Sequence, residues 1–219
     1  MPEFFKFDQI EYHIGAAGRT VKVSSDLEEG SILVIKGPSG AGKTTLLRIL
    51  ARLSECDKGQ VFLQGHNWLS YSPQLWRSKI NYLAQKPAVF NGTVLDNLKK
   101  PFALKIKKDM FNLDEAIDGL RELSLNENLI HQDAHTLSGG ETARITLLRS
   151  ILFKPNILLL DEPFAFLDDN SARSVMEFLK RWLVNKTGHG IVMVTHNDIY
   201  KDLSGVKIQE IELSEPGVN

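Results

Sequence analysis

The sequence has a single cysteine, Cys56, among 219 residues. One thiol cannot form a disulfide framework within the chain. Cys56 also has no Cys or His neighbour at metal-ligand spacing, so it reads as the ordinary reduced thiol of a cytosolic protein. Charge of one sign is missing as well: 26 basic residues balance 27 acidic ones, for a formal net charge of −1. That balance gives no global pull toward nucleic acid. Long apolar runs are absent. Ile157–Leu160 and Ile191–Val194 are strand-length, far short of the roughly 20 residues that span a bilayer. The start, Met1-Pro2-Glu3-Phe4-Phe5-Lys6, has no signal-peptide pattern, so the expectation is a soluble chain that needs a separate chain to supply any pore. There is no internal repeat and no low-complexity tract. What is present, 42% hydrophobic and 24% charged residues, is ordinary globular composition. A chain of this length buries roughly 70–75% of its unfolded surface, as one large domain or two small ones.

Three apolar runs end in polar residues. Ser31–Lys36 leads into Gly37-Pro38-Ser39-Gly40, Ile157–Leu160 into Asp161-Glu162-Pro163, and Ile191–Val194 into Thr195-His196. Branched apolar runs of this kind are what buried strands of an α/β sheet look like, and ligands bind beyond the carboxyl ends of such strands. Phe4–His13 and Thr20–Leu27 alternate in part and flank Gly15-Ala16-Ala17-Gly18, which predicts an antiparallel hairpin or small side sheet. Apolar stripes predict helices over Lys43–Leu53, Asn112–Leu123 and Ser171–Leu183, with another from Ser138 to just before Pro155. Residues 91–151 contain helices and no convincing strand. They read as a helical subdomain inserted between 1–90 and 152–219 of one α/β core.

Gly37-Pro38-Ser39-Gly40-Ala41-Gly42-Lys43-Thr44 fits G-x-x-x-x-G-K-[ST] between a predicted strand and a predicted helix. Glycines let the backbone curl so that N–H groups face phosphate oxygens, and the helix start adds its positive end. Lys43 is expected to reach the β- and γ-phosphates and the Thr44 hydroxyl to ligate Mg²⁺. Asp161 and Glu162 end an apolar strand. In a protein with such a loop, the Asp after that strand holds Mg²⁺. Adjacent residues of an extended strand point to opposite faces, which leaves Glu162 as the general base that orients a water. Leu137-Ser138-Gly139-Gly140-Glu141 opens another helix. The S-x-x-E spacing makes a plain capping box, but two glycines in a first helical turn cost roughly 1 kcal/mol each. They also leave the backbone N–H groups bare, as a second phosphate site would require.

With these residues in order, the chain resembles an ATP-binding cassette (ABC) ATPase over nearly its whole length. Tyr12, 25 positions before Gly37, stands where that family has an aromatic stacked on adenine; a packing role at a strand end is the other reading of Tyr12, and Phe4, Phe5 and Phe7 are nearby alternatives for the stacking residue. Gln85 matches the Q-loop glutamine, Leu137–Glu141 the LSGGQ signature with Arg144 after it, Leu167-Asp168 the end of the D-loop, and His196 the switch histidine. The resemblance implies a P-loop NTPase (RecA-like) fold: a mostly parallel sheet core, an N-terminal antiparallel β subdomain and an inserted α-helical subdomain. It implies ATP and Mg²⁺ as cofactors. It also implies a head-to-tail homodimer, or a paired cassette, in which Ser138, Gly139 and Gly140 of one subunit close over ATP held by Gly37–Thr44 and Thr45 of the other. Asp168 joins that nucleotide site, His196 contacts the γ-phosphate, and Gln85 reaches Mg²⁺ and the attacking water. Such a subunit sits on the cytoplasmic face of the cell (inner) membrane and powers transmembrane permease subunits by hydrolysing ATP.

Departures from the pattern are few. Glu141 replaces the usual Gln, and Phe164 and Phe166 stand where small or hydroxyl residues are more frequent. Ile130–His135 lacks the acidic-glycine motif of fused exporters, which favours a separate-subunit transporter. Tyr82–Leu98, the compact length and LSGGE are similar to small bacterial cassettes assigned to metal (iron) export. Lys99, Lys100, Lys105, Lys107 and Lys108 read as a solvated face or as a contact for acidic lipid or a permease loop. The alternative is a stand-alone ABC-type ATPase in repair or translation. The single cassette and the absence of sustained heptads disfavour it, while Lys43, Gln85, Asp161, Glu162 and His196 together disfavour a module without turnover.

Overall fold

The computed structural model describes residues 3–15, 18–104, 107–108, 110–185 and 187–213. In chain order the elements are β1 (Phe5–Ile14), β2 (Arg19–Leu27), β3 (Ile32–Lys36), α1 (Lys43–Leu50), β4 (Lys58–Leu63), β5 (His66–Asn67), α2 (Pro73–Lys79), β6 (Ile80–Leu83), α3 (Val94–Lys99), α4 (Leu113–Glu122), α5 (Gly139–Leu152), β7 (Ile157–Asp161), α6 (Asp169–Val184), β8 (Gly190–Val194) and β9 (Ile208–Glu212). Ala16, Ala17 and Lys105, all part of the sequence reading, lie outside the described residues.

The apolar runs pair in parallel, in the order β6-β7-β8-β3-β9. Strands β7 and β8 are buried at every position, as continuous apolar runs require when both faces of a sheet are covered. The N-terminal segments form an antiparallel sheet, β2-β1-β4-β5. A bulge at Asp8-Gln9, with Gln9 at φ 50, resets the alternation of β1, so that Phe5, Phe7, Ile10 and Tyr12 all face inward.

The core divides by sheet face. One face packs β1, β4, α1 and α2 against Leu33, Ile35, Leu159, Val192 and Val194. The other packs α3–α6 against Ile32, Val34, Leu158, Leu160, Ile191 and Met193. Pairing therefore follows the pleat: alternate residues of one strand serve different layers. Among the described residues of 91–151 there is no named strand, only an isolated Thr93–Asp133 bridge. Helix ends move by a few residues from the sequence expectation. α1 stops at Leu50 because Arg52 turns to φ 55, and its guanidinium donates to the Trp68 and Tyr71 carbonyls.

Candidate active site

Strand β3 hands the chain to α1 through Gly37–Gly42. Gly42 sits at the N-cap with φ 93 and makes no side-chain cap. Gly37 has φ 139, and a β-carbon there would lie 2.5 Å from the Leu213 carbonyl oxygen. Both positions thus demand glycine for reasons internal to the fold. Lys43 is 8% exposed, and its Nζ donates to the carbonyls of Gly37 at 2.7 Å and Pro38 at 2.9 Å, which closes the loop on itself. Thr44 Oγ1 donates to Asp161 Oδ1 at 3.2 Å, and the Tyr82 hydroxyl donates to Asp161 Oδ2 at 3.0 Å. Burial and the Asp161 carboxylate push the Tyr82 phenol above its ordinary pKa, so it stays a donor.

Ser39–Thr45, Gln85, Asp161, Glu162 and His196 line one cleft of about 460 Å³. The structure thus brings together most of the residues expected around the phosphates. It corrects the expectation that the two acids diverge on an extended strand. β7 ends at Asp161, and Glu162 takes a left-handed φ of 49, with its N–H donating to the Val194 carbonyl at 2.9 Å. That turn aims both acids into the same cleft. A non-glycine residue held at positive φ stores strain of order 1–3 kcal/mol, and the Val194 bond helps to hold it there. Glu162 Oε1 lies 3.3 Å from His196 Nε2, and Oε2 accepts the His196 N–H at 3.3 Å.

Two residues expected at the nucleotide are engaged within this chain. Tyr12 is 2% exposed, and its hydroxyl donates to the Gly42 carbonyl at 3.0 Å. The ring packs beneath the loop and offers no free face to a base. Ile14, two residues on along the same face of β1, lines the cleft instead. Asp168 caps α6, accepting the Ser171 N–H at 2.9 Å, with its other oxygen bonded to the Ser171 hydroxyl. Those bonds hold its carboxyl below the usual range.

Ser138, Gly139 and Gly140 do not reach their own chain's cleft. The capping box is formed: Ser138 and Glu141 exchange bonds at the start of α5, and these lower the Glu141 pKa. Arg144 donates to the Gly140 carbonyl of its own helix and to the Leu123 carbonyl at the end of α4. An added β-carbon on Gly139 would meet only Phe166, at 3.9 Å. Phe164 is buried in the core and Phe166 is 47% exposed beside the signature.

Sequence reasoning missed a groove of about 560 Å³ beyond Gln85, between Lys86–Phe90, Pro101–Leu104 and α5. Arg149 of α5 donates to the Ala88 carbonyl at 2.9 Å and stacks on Phe90, tying the signature helix to the chain that follows Gln85. The lysine run is partly engaged: Lys99, Lys100 and Lys107 lie over the Phe111, Phe90 and Phe153 rings. The apolar groove and the exposed Phe90 carried no sequence signal beyond the PAVF stretch itself.

Fold and cleft define a P-loop nucleotide-binding protein. The family model described as "ABC transporter" matches residues 21–165. The chain is 33% identical over 194 residues to the "Probable iron export ATP-binding protein FetA" of Escherichia coli (strain K12), covering 88% of this chain and 84% of that protein. It is 36% identical over 180 residues to the "Molybdate/tungstate import ATP-binding protein WtpC" of Pyrococcus horikoshii, and here it spans only about half of the relative's length, 50%. Among solved structures it superposes on the "Dimeric Structure of MJ0796, a Bacterial ABC Transporter Cassette" with a TM-score of 0.80 at 22% identity, covering 97% of each chain. The chain belongs to the ABC transporter family, as one of its ATP-binding, ATP-hydrolysing subunits.

Proposed function

We propose that two copies of this chain close head to tail over ATP and Mg²⁺, and that the hydrolysis cycle drives a separate membrane permease from the cytoplasmic face. The observation that carries the dimer reading is Gly139. Its backbone needs no glycine and nothing of its own chain crowds it, so the bare helix end is free for a ligand held by another subunit. Phe166 stands beside it at the same seam.

In this reading the loop amides and Lys43 hold the phosphates, and Lys43 exchanges its two carbonyl partners for phosphate oxygens. Thr44 Oγ1, Asp161 Oδ1 and Gln85 offer the hard oxygen donors that suit Mg²⁺, which supplies charge neutralisation on the phosphates. Glu162 accepts the proton of the attacking water. His196, joined to both Glu162 oxygens through its ring and its backbone, orients that carboxylate toward the γ-phosphate position. Residues 91–151 act as the helical subdomain, and the groove beyond Gln85 takes a permease segment. The Arg149 bonds support this, because a shift in the groove reaches both the cleft and the signature helix. A metal ion exported by that permease is the cargo reading favoured by the FetA likeness, which spans most of both chains.

The deciding experiment is Glu162→Gln. Phosphate release should fall roughly 10²–10⁴-fold while ATP binding survives and ATP-dependent dimers accumulate. Full turnover in that variant would remove Glu162 as the base. A non-transport ATPase would instead co-purify with no multi-span membrane protein.

A further inference from the structure

We propose that Tyr82 is a positioning residue for the metal-binding carboxylate; this rests on the reading of Asp161 as a Mg²⁺ ligand. Asp161 is 3% exposed at the end of β7, and its two oxygens have different partners. Oδ1 accepts from Thr44, the other hydroxyl of the metal site, and Oδ2 accepts from the Tyr82 phenol. The phosphate loop supplies one donor and the neighbouring strand β6 the other. A carboxylate held at one oxygen still rotates about its Cβ–Cγ bond. One held at both presents a fixed lone pair, and the outer-shell partner of a metal ligand sets the ligand's orientation in this way.

The register places this donor. Tyr82 pairs with Leu159 across the parallel β6–β7 ladder, two residues before Asp161, so its long ring spans the remaining distance along the sheet. Phenylalanine at this position would fill the same volume and leave Oδ2 without its partner. Tyr82 also stands three residues before Gln85, where β6 leaves the sheet for the cleft and the groove. The same short segment therefore carries a cleft-lining glutamine and the hydroxyl that aims the metal ligand. A displacement of the chain in the groove would turn Asp161 as well as move Gln85.

The test is a Mn²⁺ titration followed by electron paramagnetic resonance on the full chain, with the non-hydrolysable ATP analogue AMPPNP, in wild type, Tyr82→Phe and Asp161→Asn. Metal-free AMPPNP affinity is measured beside it. Tyr82→Phe should bind Mn²⁺ roughly tenfold more weakly and shift the Mn²⁺ hyperfine spectrum, with metal-free nucleotide affinity unchanged. Wild-type Mn²⁺ affinity in Tyr82→Phe, with Asp161→Asn weakened, overturns the proposal alone. Wild-type affinity in both variants overturns the Asp161 reading and the proposal with it. Equal losses of Mn²⁺ and metal-free nucleotide binding in Tyr82→Phe would assign Tyr82 a general structural role and also overturn it.

Discussion

The chain has two glycine-bearing helix starts, and they are glycine-rich for opposite reasons. Before α1, Gly37, Gly40 and Gly42 all have positive φ, and side chains at Gly37 and Gly42 would strike Leu213 and Tyr12. The fold itself dictates those residues. In the first turn of α5, Gly139 and Gly140 have ordinary helical backbone, and Gly139 faces open space but for Phe166. Glycine at 139 weakens the helix and returns nothing to its own chain, whereas a β-carbon on Gly140 would press on the Phe166 carbonyl oxygen at 3.3 Å. A residue costly to the fold and unexplained within it points to a partner outside, which is how a closed dimer reads from one subunit.

The contrast can be broken at the first helix start. Gly37→Ala should cost about 2–3 kcal/mol, because the Leu213 carbonyl is backbone and cannot give way and φ 139 is strained for alanine. Nucleotide binding should fall with it, read by thermal melting and by fluorescent-ATP titration. Tyr12→Phe sharpens the same side. It removes one hydrogen bond to Gly42 and should cost about 1 kcal/mol, or a melting shift of roughly 2–4 °C. An unshifted melt would mean that Tyr12 does not brace the loop.

The smallest effect lies at the second start. The folded Glu141 pKa is lowered by its bonds to Ser138, so that stability is present above the ordinary carboxylate range and fades as pH falls through the folded value. The group is half-buried and partly screened by solvent, which limits the contribution to about 0.5 kcal/mol. Glu141→Gln should be less stable than wild type by that amount at pH 7, and denaturant melts should converge as the pH falls through the lowered folded value. A constant gap across pH would contradict the charge argument.

Legibility followed range along the chain. The phosphate loop, Asp161 and Glu162 were readable because a buried strand, a turn and a helix announce themselves within 20 residues. Strands β6 (INYL) and β9 (IQEIE) were not, since each is short, mixed in polarity and half-exposed at a sheet edge. The sequence left Tyr12 open between stacking and packing, because its burial depends on Gly42, 30 positions away, and on a bulge at Gln9 that no local pattern encodes. The Tyr82–Asp161 bond joins residues 79 apart. Asp161 and Glu162 do not point to opposite faces because β7 ends at Asp161. The left-handed turn at Glu162 depends on its bond to Val194 of β8.

The two-subunit nucleotide site stands or falls on Gly139→Ala. Its melting should match wild type or exceed it by up to about 1 kcal/mol, since alanine favours the helix and meets only ordinary contact with Phe166. ATP should still bind the monomer. In the Glu162→Gln background, ATP-dependent dimers, measured by light scattering, should disappear. A Gly139→Ala protein that dimerises on ATP like its parent would contradict the account.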